Sequence, residues 1–324
     1  MNLTLRWSIA VCMFFCSRAV FFTCSQSSSA EASLLSVKAV PSKIEEESTC
    51  GEWTSWAPPR TDPAVVLQVV SEDYADVEKN FIRLMEINSA FTRQHLFLIC
   101  LDDASADIFE SLGIRCVPGQ SLRSHSHHSM WKIRVRALSC LVTDGYSVIM
   151  SDSDALWLRD PMEYIGWPAV NGSSVFASRG SFPRSLGEKW GSTICMGFIM
   201  FFATGAGMNT FQNAMEHLVL ETGDDQIAVN RAAFELGITW DKDSDMRCES
   251  STDVGKGTIA DLSTDNGELF EIILFPHNMF TRVCDETPVS NDTVVAHCHT
   301  EKNAAAKLGW MKDLNLWSPD GISP

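Results

Sequence analysis

Residues 64–150 alternate short apolar runs rich in β-branched residues with segments whose apolar residues recur at helical spacing. After the first run, Val77, Phe81 and Leu84 fall on one face of a predicted helix. Such alternation is typical of a parallel sheet covered by helices, so it restricts this part of the chain to an α/β fold. The predicted strands here are 64–70, 95–101, 114–118 and 146–150.

The second half of the chain continues this pattern without a second linker. Further strands are predicted at 175–178, 195–203, 271–276 and 294–299, and helices near 207–221 and 225–236. Residues 25–62 are instead rich in Ser, Glu and Pro without sustained periodicity, which is typical of a stem or linker. We therefore predict one α/β domain over residues 63–324, with a mixed, mostly parallel sheet flanked by helices.

Residues 1–24 contain an apolar segment that follows Arg6 and is interrupted by Arg18. A Ser-rich tract comes next, and residues 28–30 (Ser-Ser-Ala) fit a small-residue cleavage site, as expected for a secretory signal peptide. As a single piece, the segment is also about long enough for an uncleaved signal anchor that attaches the chain to a membrane. Both predictions place the rest of the chain in the lumen of the secretory pathway or outside the cell.

Charge and cysteine content agree with this location and exclude one class of partner. With 25 Lys+Arg and 41 Asp+Glu, the formal net charge is −16. Nucleic-acid binding depends on clustered cations, so we predict no nucleic-acid partner. The cysteines beyond residue 24 lack the paired spacing of a zinc site, and we expect one or two disulfides among them.

The predicted strand 146–150 runs directly into Ser151, Asp152, Ser153 and Asp154. In open α/β sheets, ligands bind beyond the carboxyl ends of the strands. Residues i and i+2 of an extended segment face the same way, so Asp152 and Asp154 can share one hard divalent cation. The alternative is structural, with Asp152 capping a turn and Asp154 solvated. The position after a buried strand favours the metal site.

The segment that contains this acidic pair, SDSDALWLRDP (151–161), resembles the DxD segment of nucleotide-sugar glycosyltransferases with the GT-A fold. The similarity is to the plant and algal nucleotide-diphospho-sugar transferases that include arabinosyl- and xylosyltransferases. Later segments resemble motifs of this family in the same order, and the similarity extends over residues 64–317. These segments are ICMGFIMFF (194–202), DDQIAVN (224–230) and VVAHC (294–298).

The resemblance implies a GT-A-like domain with a Rossmann-like nucleotide-binding half, in a protein of the Golgi lumen. It implies transfer of a sugar from a nucleoside-diphosphate sugar, with a UDP-sugar favoured, to a glycan or glycoprotein acceptor with retention of configuration. It further implies Mn²⁺ or Mg²⁺ bridging the two phosphates. A cation held by Asp152 and Asp154 would stabilise the charge that develops on the diphosphate leaving group.

The same resemblance assigns roles to residues far along the chain. His297 takes the place of a third metal ligand, although it could be an ordinary histidine at the end of a strand. Asp225 and Gln226 are the predicted catalytic residues, because this segment lies beneath the anomeric carbon of the sugar in similar enzymes. Asp225 could instead cap the helix that starts here.

Donor-binding residues are predicted in several parts of the chain. In similar proteins one cation of the helix before the metal strand contacts the donor. Here Arg134 and Arg136 are predicted for this role, Lys132 is a third candidate, and a solvated helix face is the alternative. The other predicted donor-binding residues are Ser153, Gly197, Asn230 and Lys302, with Lys307 as a further candidate. Acceptor-binding loops are expected at 182–190 and 241–267.

Two other functions fit part of this pattern. A haloacid-dehalogenase-like phosphatase also places Asp-x-Asp at the end of an apolar strand, with the first Asp as nucleophile. That class usually has Thr or Val two residues after the second Asp, where this chain has Leu156. The second alternative is a sugar-binding relative of the fold that has lost turnover.

Overall fold

The computed structural model describes residues 50–59, 64–118, 127–165, 174–203, 206–248, 251–263, 269–283, 289–298 and 303–317. The described residues belong to one compact unit that begins at Ser48. Residues 1–24 lie outside them, so the signal segment stays a prediction. No helix in the described ranges is long and apolar enough to cross a membrane.

The unit contains a large mixed sheet and a small second sheet. The strands are β1 (Val65–Val70), β2 (Leu96–Cys100), β3 (Cys116–Pro118), β4 (Val148–Ser151), β5 (Ala155–Trp157), β6 (Ser174–Gly180), β7 (Thr193–Phe201), β8 (Thr239–Trp240), β9 (Gly255–Ile259), β10 (Phe270–Leu274), β11 (Phe280–Val283) and β12 (Val295–Cys298). The large sheet has nine strands in the order β3-β2-β1-β4-β7-β6-β10-β9-β8. Strands β3, β2, β1 and β4 pair in parallel, and β7 runs antiparallel between β4 and β6. This confirms the predicted mixed α/β fold, and the order β3-β2-β1-β4 is that of a Rossmann-like half.

Helices cover both faces of the large sheet. They are α1 (Cys50–Thr54), α2 (Ala75–Asn88), α3 (Asp103–Ser111), α4 (His127–Thr143), α5 (Pro161–Ile165), α6 (Arg184–Trp190), α7 (Ala206–Thr222), α8 (Asp225–Glu235) and α9 (Ala304–Asp313). Leu67 of β1 lies in one core cluster with Leu138 of α4, and Val66 lies in the other with Phe81 of α2. Because successive residues of a strand face opposite sides, β1 needs apolar residues at nearly every position.

The small sheet has the order β11-β12-β5 and adjoins the end of β4. Strand β5 begins just after the acidic pair, and β12 pairs with it antiparallel, with His297 opposite Ala155. The late strand β12 is thereby brought back to the carboxyl end of β4.

Two disulfides, Cys50–Cys140 and Cys100–Cys116, agree with the predicted number. The first ties α1 to α4, and Trp53 of α1 is buried. Residues 50–59, which the sequence placed in the stem 25–62, therefore pack on the domain. The disulfide, the buried Trp53 and a hydrogen bond from the hydroxyl of Tyr146 to the carbonyl of Pro58 (3.0 Å) hold this segment. Its Ser- and Pro-rich composition gave no sign of this packing.

Two segments expected to be acceptor loops contain regular structure. Helix α6 lies within 182–190, and β9 lies within 241–267. An added Cβ on Gly257 of β9 would lie 2.7 Å from the indole of Trp240. Glycine occupies this position because the neighbouring side chain fills the space. The strand therefore lacks the apolar alternation by which strands are predicted.

Candidate metal centre

The acidic pair lies in a tight turn at the carboxyl end of β4. The N–H of Ala155 donates to the carbonyl of Asp152 (2.8 Å), and the N–H of Asp152 donates to the carbonyl of Gly197 on β7 (2.8 Å). The predicted extended conformation is wrong, because the chain turns here to enter β5. The turn still brings the carboxylates of Asp152 and Asp154 together.

His297 of β12 faces this pair. Its Nε2 lies 3.5 Å from Oδ2 of Asp152 and 3.6 Å from Oδ1 of Asp154. One ligand atom from each of the three residues lies within 4.8 Å of the other two. Two carboxylate oxygens and an imidazole nitrogen form a donor set that suits a divalent metal such as Mn²⁺. The structure thus brings the three residues predicted as metal ligands to one point.

Arg134 of α4 holds the other oxygen of Asp152. Its Nη1 lies 2.5 Å from Oδ1 of Asp152, and its Nη2 donates to the carbonyl of Met196 (2.6 Å). Burial raises the pKa of Asp152, but Arg134 and His297 lower it by a larger amount. This pKa therefore lies well below its usual range. Asp152 therefore carries its charge throughout the neutral range.

Lys307 of α9 holds the other oxygen of Asp154. Its Nζ donates to Oδ2 of Asp154 and to the carbonyl of Cys298, the latter at 2.9 Å. Burial tends to lower the pKa of Lys307, but Asp154 raises it more. Each carboxylate thus has one oxygen on a cationic side chain and one oxygen facing His297. The oxygens that face His297 are the ones available to a metal ion.

Asp225 extends the same charged network. Its Oδ2 lies 3.3 Å from Nε of Arg134, so this arginine lies between two buried or partly buried carboxylates. Burial raises the pKa of Asp225 to about 7, although Arg134 opposes that rise. The side chain of Asp224, rather than that of Asp225, caps α8 by accepting the N–H of Ile227 (2.8 Å). The alternative that Asp225 is the helix cap is therefore wrong.

Gln226 and Asn230 lie one turn apart on α8 and have different surroundings. Nε2 of Gln226 donates to the carbonyl of Phe182 (2.7 Å), which fixes the amide beside the loop before α6. Asn230 is fully buried, and its side chain accepts from the N–H of Ile194 and donates to the carbonyl of Ile194, both at 2.8 Å. The structure gives Asn230 the role of joining α8 to β7 rather than of binding a donor.

Two other predicted donor-binding residues point elsewhere. Arg136 pairs with Glu216 of α7, with Nη1 and Oε1 2.6 Å apart, whereas Arg134 two residues earlier contacts the acidic pair. Ser153 donates from its hydroxyl to Oε2 of Glu78 (2.6 Å), inside the protein. Lys302 lies outside the described residues.

Gly197 makes room for the imidazole of His297. An added Cβ at this position would lie 2.0 Å from Cε1 of His297, closer than any two such atoms approach. The absence of a side chain at Gly197 is thus what leaves space for His297, the predicted third metal ligand. Its neighbour Cys195, also on β7, contacts the other ring nitrogen, with Sγ 3.9 Å from Nδ1.

We expect Gly197→Ala to displace His297 and weaken Mn²⁺ binding by at least about tenfold, the range seen when the support of a metal ligand is lost. Gly309→Ala is the matched control, because an added Cβ there meets no atom within 4 Å. The dissociation constant of Mn²⁺ checks this, with thermal unfolding as the test of folding. A folded Gly197→Ala protein that binds Mn²⁺ as tightly as the parent would contradict it.

A pocket of about 470 Å³ lies against the start of α9, the helix that carries Lys307, and was not found from the sequence. It is lined by Asp73, Tyr74, Asn303, Ala304, Ala305 and Leu308. Burial raises the pKa of Tyr74; the charge of Lys307 opposes this rise, and the charges of Asp154 and Asp152 add to it. An aromatic residue just beyond β1, at the same sheet edge, was the available signal.

Comparisons with known proteins assign the chain to a protein family. A family described as nucleotide-diphospho-sugar transferase matches residues 92–308, which is more than half of the chain. Similar solved structures include the bifunctional glycosyltransferase WbbM, at 14% identity over 54% of this chain and 38% of that chain, with TM-score 0.39. They also include GlyE of Streptococcus pneumoniae TIGR4, at 12% identity over 54% of this chain and 44% of that chain, with TM-score 0.37.

The galactosyltransferase LgtC is similar at 12% identity over 79% of this chain and 93% of that chain, with TM-score 0.44. The similarity covers less than half the length of the WbbM chain and of the GlyE chain in its apo form. No curated protein sequence matches the chain.

Proposed function

Because the chain belongs to the nucleotide-diphospho-sugar transferase family, we propose that it is a metal-dependent glycosyltransferase. In this proposal it moves a sugar from a nucleoside-diphosphate sugar, most simply a UDP-sugar, to a glycan or glycoprotein acceptor with retention of configuration. The observation that carries the proposal is the meeting of Asp152, Asp154 and His297 at the carboxyl end of β4. Ligands of open α/β sheets bind at this edge.

The residues present fit a divalent cation. Asp152 and Asp154 each direct one oxygen toward His297, while Arg134 and Lys307 hold the other two oxygens. When bound, Mn²⁺ or Mg²⁺ would supply a positive charge for the diphosphate as the glycosidic bond breaks. The two cationic side chains hold both carboxylates in this orientation before the donor arrives.

The pocket beside Tyr74 is the proposed site for the nucleoside diphosphate. Tyr74 lines this pocket and is an aromatic residue on which a nucleobase could stack, and residues of the first turn of α9 line it as well. Asn303 caps α9 by accepting the N–H of Ala306 (2.8 Å), so the helix starts at the pocket. A helix N-terminus with a positive dipole end suits the phosphates.

Asp225 and Gln226 are proposed to hold the sugar. Asp225 reaches the metal centre through Arg134, and the amide of Gln226 is fixed by Phe182. A polar group here can orient the hydroxyls of the donor sugar and stabilise positive charge at its anomeric carbon. A side chain that is already held in place loses little conformational entropy when the sugar binds.

We also propose that the protein works in the Golgi lumen. Where residues 1–24 are not cleaved, they would attach it to the membrane. The two disulfides support it, because disulfides persist in oxidising compartments.

The test is a donor panel. The purified full chain is incubated with UDP- and GDP-sugars in Mn²⁺ or in EDTA, and released nucleoside diphosphate is measured. We expect release from one donor in Mn²⁺ and none in EDTA. Phosphate-ester hydrolysis without use of any nucleotide sugar would favour the phosphatase alternative and reject the transferase.

A further inference from the structure

Glu78 of α2 is a buried acid that the proposed reaction leaves without a role. Its side chain is 0% exposed. Oε2 accepts the hydrogen bond from the hydroxyl of Ser153 at 2.6 Å, and Oε1 has no hydrogen-bond partner among the described residues. Burial raises the pKa of Glu78 to about 7, although the hydrogen bond from Ser153 opposes this rise.

A buried carboxyl group with an oxygen that lacks a hydrogen bond destabilises the folded state. A carboxyl without a cationic partner in the described part of the chain gains little from burial, and its second oxygen loses water without replacement. An apolar side chain of similar length would pack here at lower cost. The presence of an acid at this buried position therefore indicates a role other than stabilising the fold.

Ser153, its hydrogen-bond partner in the described part of the chain, is the central residue of the turn that carries Asp152 and Asp154. The backbone fixes the two ends of this turn: Asp152 donates to Gly197 at 2.8 Å, and Cys298 donates to the carbonyl of Asp154 at 3.0 Å. The side chain of Ser153 is buried and contacts Glu78 of α2, whereas the two carboxylates contact His297, Arg134 and Lys307. The bond to Glu78 therefore fixes the centre of the turn from an element that carries none of the three predicted metal ligands.

We propose that Glu78 is a positioning residue of the metal centre, which through Ser153 holds the turn so that Asp152 and Asp154 both face His297. Glu78 acts through Ser153 and is not one of the residues whose ligand atoms meet at the metal centre in the described part of the chain. The inference rests on the proposed function for the identity of the metal.

Glu78→Met removes the acceptor and keeps a side chain of similar length. We expect the dissociation constant of Mn²⁺ to rise about tenfold, as when an outer partner of a metal site is removed. The thermal unfolding midpoint in EDTA should stay the same or rise, because an unpaired buried acid is gone. A purely structural residue would lower the midpoint, so the two measurements separate the roles.

Ser153→Ala tests the path of the effect. We expect it to weaken Mn²⁺ binding about as much as Glu78→Met, and the double variant to be no weaker than either, because interacting residues are not additive. Glu78→Gln keeps an oxygen that can accept the bond and should retain most of the affinity. Asp76→Asn is the control, because Asp76 is an acid of the same helix that pairs with Lys79 at the surface.

The measurement counts free Mn²⁺ by its EPR signal in titrations of the full chain. Parental affinity in folded Glu78→Met, or a double variant whose losses add, would overturn the inference. If Glu78→Met does not fold, the Ser153→Ala variant decides the question by itself, and parental Mn²⁺ affinity in that variant would overturn the inference. A parent that binds no Mn²⁺ overturns both the inference and the metal assignment. Mn²⁺ binding with these variant effects but no donor turnover supports the inference and counts against the proposed function.

Discussion

Asp154→Asn is expected to reduce the rate of nucleoside-diphosphate release by about 10³-fold, since a metal supplies several kcal/mol to such a transition state and each ~1.4 kcal/mol is tenfold in rate. The amide keeps the shape of the carboxylate and lacks its charge. It would also leave the buried ammonium of Lys307 without its anionic partner. The rate is measured at saturating Mn²⁺ with the donor found in the panel.

Asp107→Asn on α3 is the matched control, because it makes the same chemical change at an exposed position. Its rate should equal that of the parent. Retention of more than about a tenth of the parental rate by folded Asp154→Asn, a loss below ~1.4 kcal/mol, would show that this carboxylate has no part in catalysis.

Arg134→Met is expected to destabilise the protein by about 3–5 kcal/mol, because removing one member of a buried ion pair leaves the other charge uncompensated. Two carboxylates depend on this guanidinium, with 2.5 Å to Asp152 and 3.3 Å to Asp225. The free energy of unfolding in EDTA, from denaturant titration, measures the loss without a contribution from metal.

Arg136→Met on the same helix is the comparison for Arg134. Among the described residues Arg136 pairs with one acid, Glu216, and both side chains are partly exposed. We expect a loss of about 1 kcal/mol or less, as for ion pairs near the surface. Equal losses for Arg134→Met and Arg136→Met would contradict the central place of Arg134 in the charged network.

The parts of the site that depend on local sequence could be predicted. Asp152 and Asp154 follow a buried strand, and the carboxyl ends of such strands form the ligand-binding edge. The turn itself could not be predicted. It leads into β5, and β5 forms by pairing with β12, which lies far along the sequence. A short strand with a distant partner has no local pattern of its own.

Residues that reach the site from distant elements were only partly predictable. His297 was assigned through its family resemblance, and Lys307 lies 153 positions from the Asp154 that it contacts. Glu78 lies on a helix whose apolar spacing predicts a face packed on the core. An acid next to that face gives no indication in the sequence of the residue it contacts. Gly197 was assigned to the donor, but the structure shows that its lack of a side chain serves His297.

The most direct test of the metal centre is pulsed EPR of Mn²⁺ bound to the full chain in the presence of UDP. The arrangement of His297 with Asp152 and Asp154 predicts a nitrogen coupling from one imidazole, present in the parent and absent in His297→Gln. Bound Mn²⁺ without this coupling in the parent, or with the same coupling in His297→Gln, would contradict the assignment of the three residues to one metal ion.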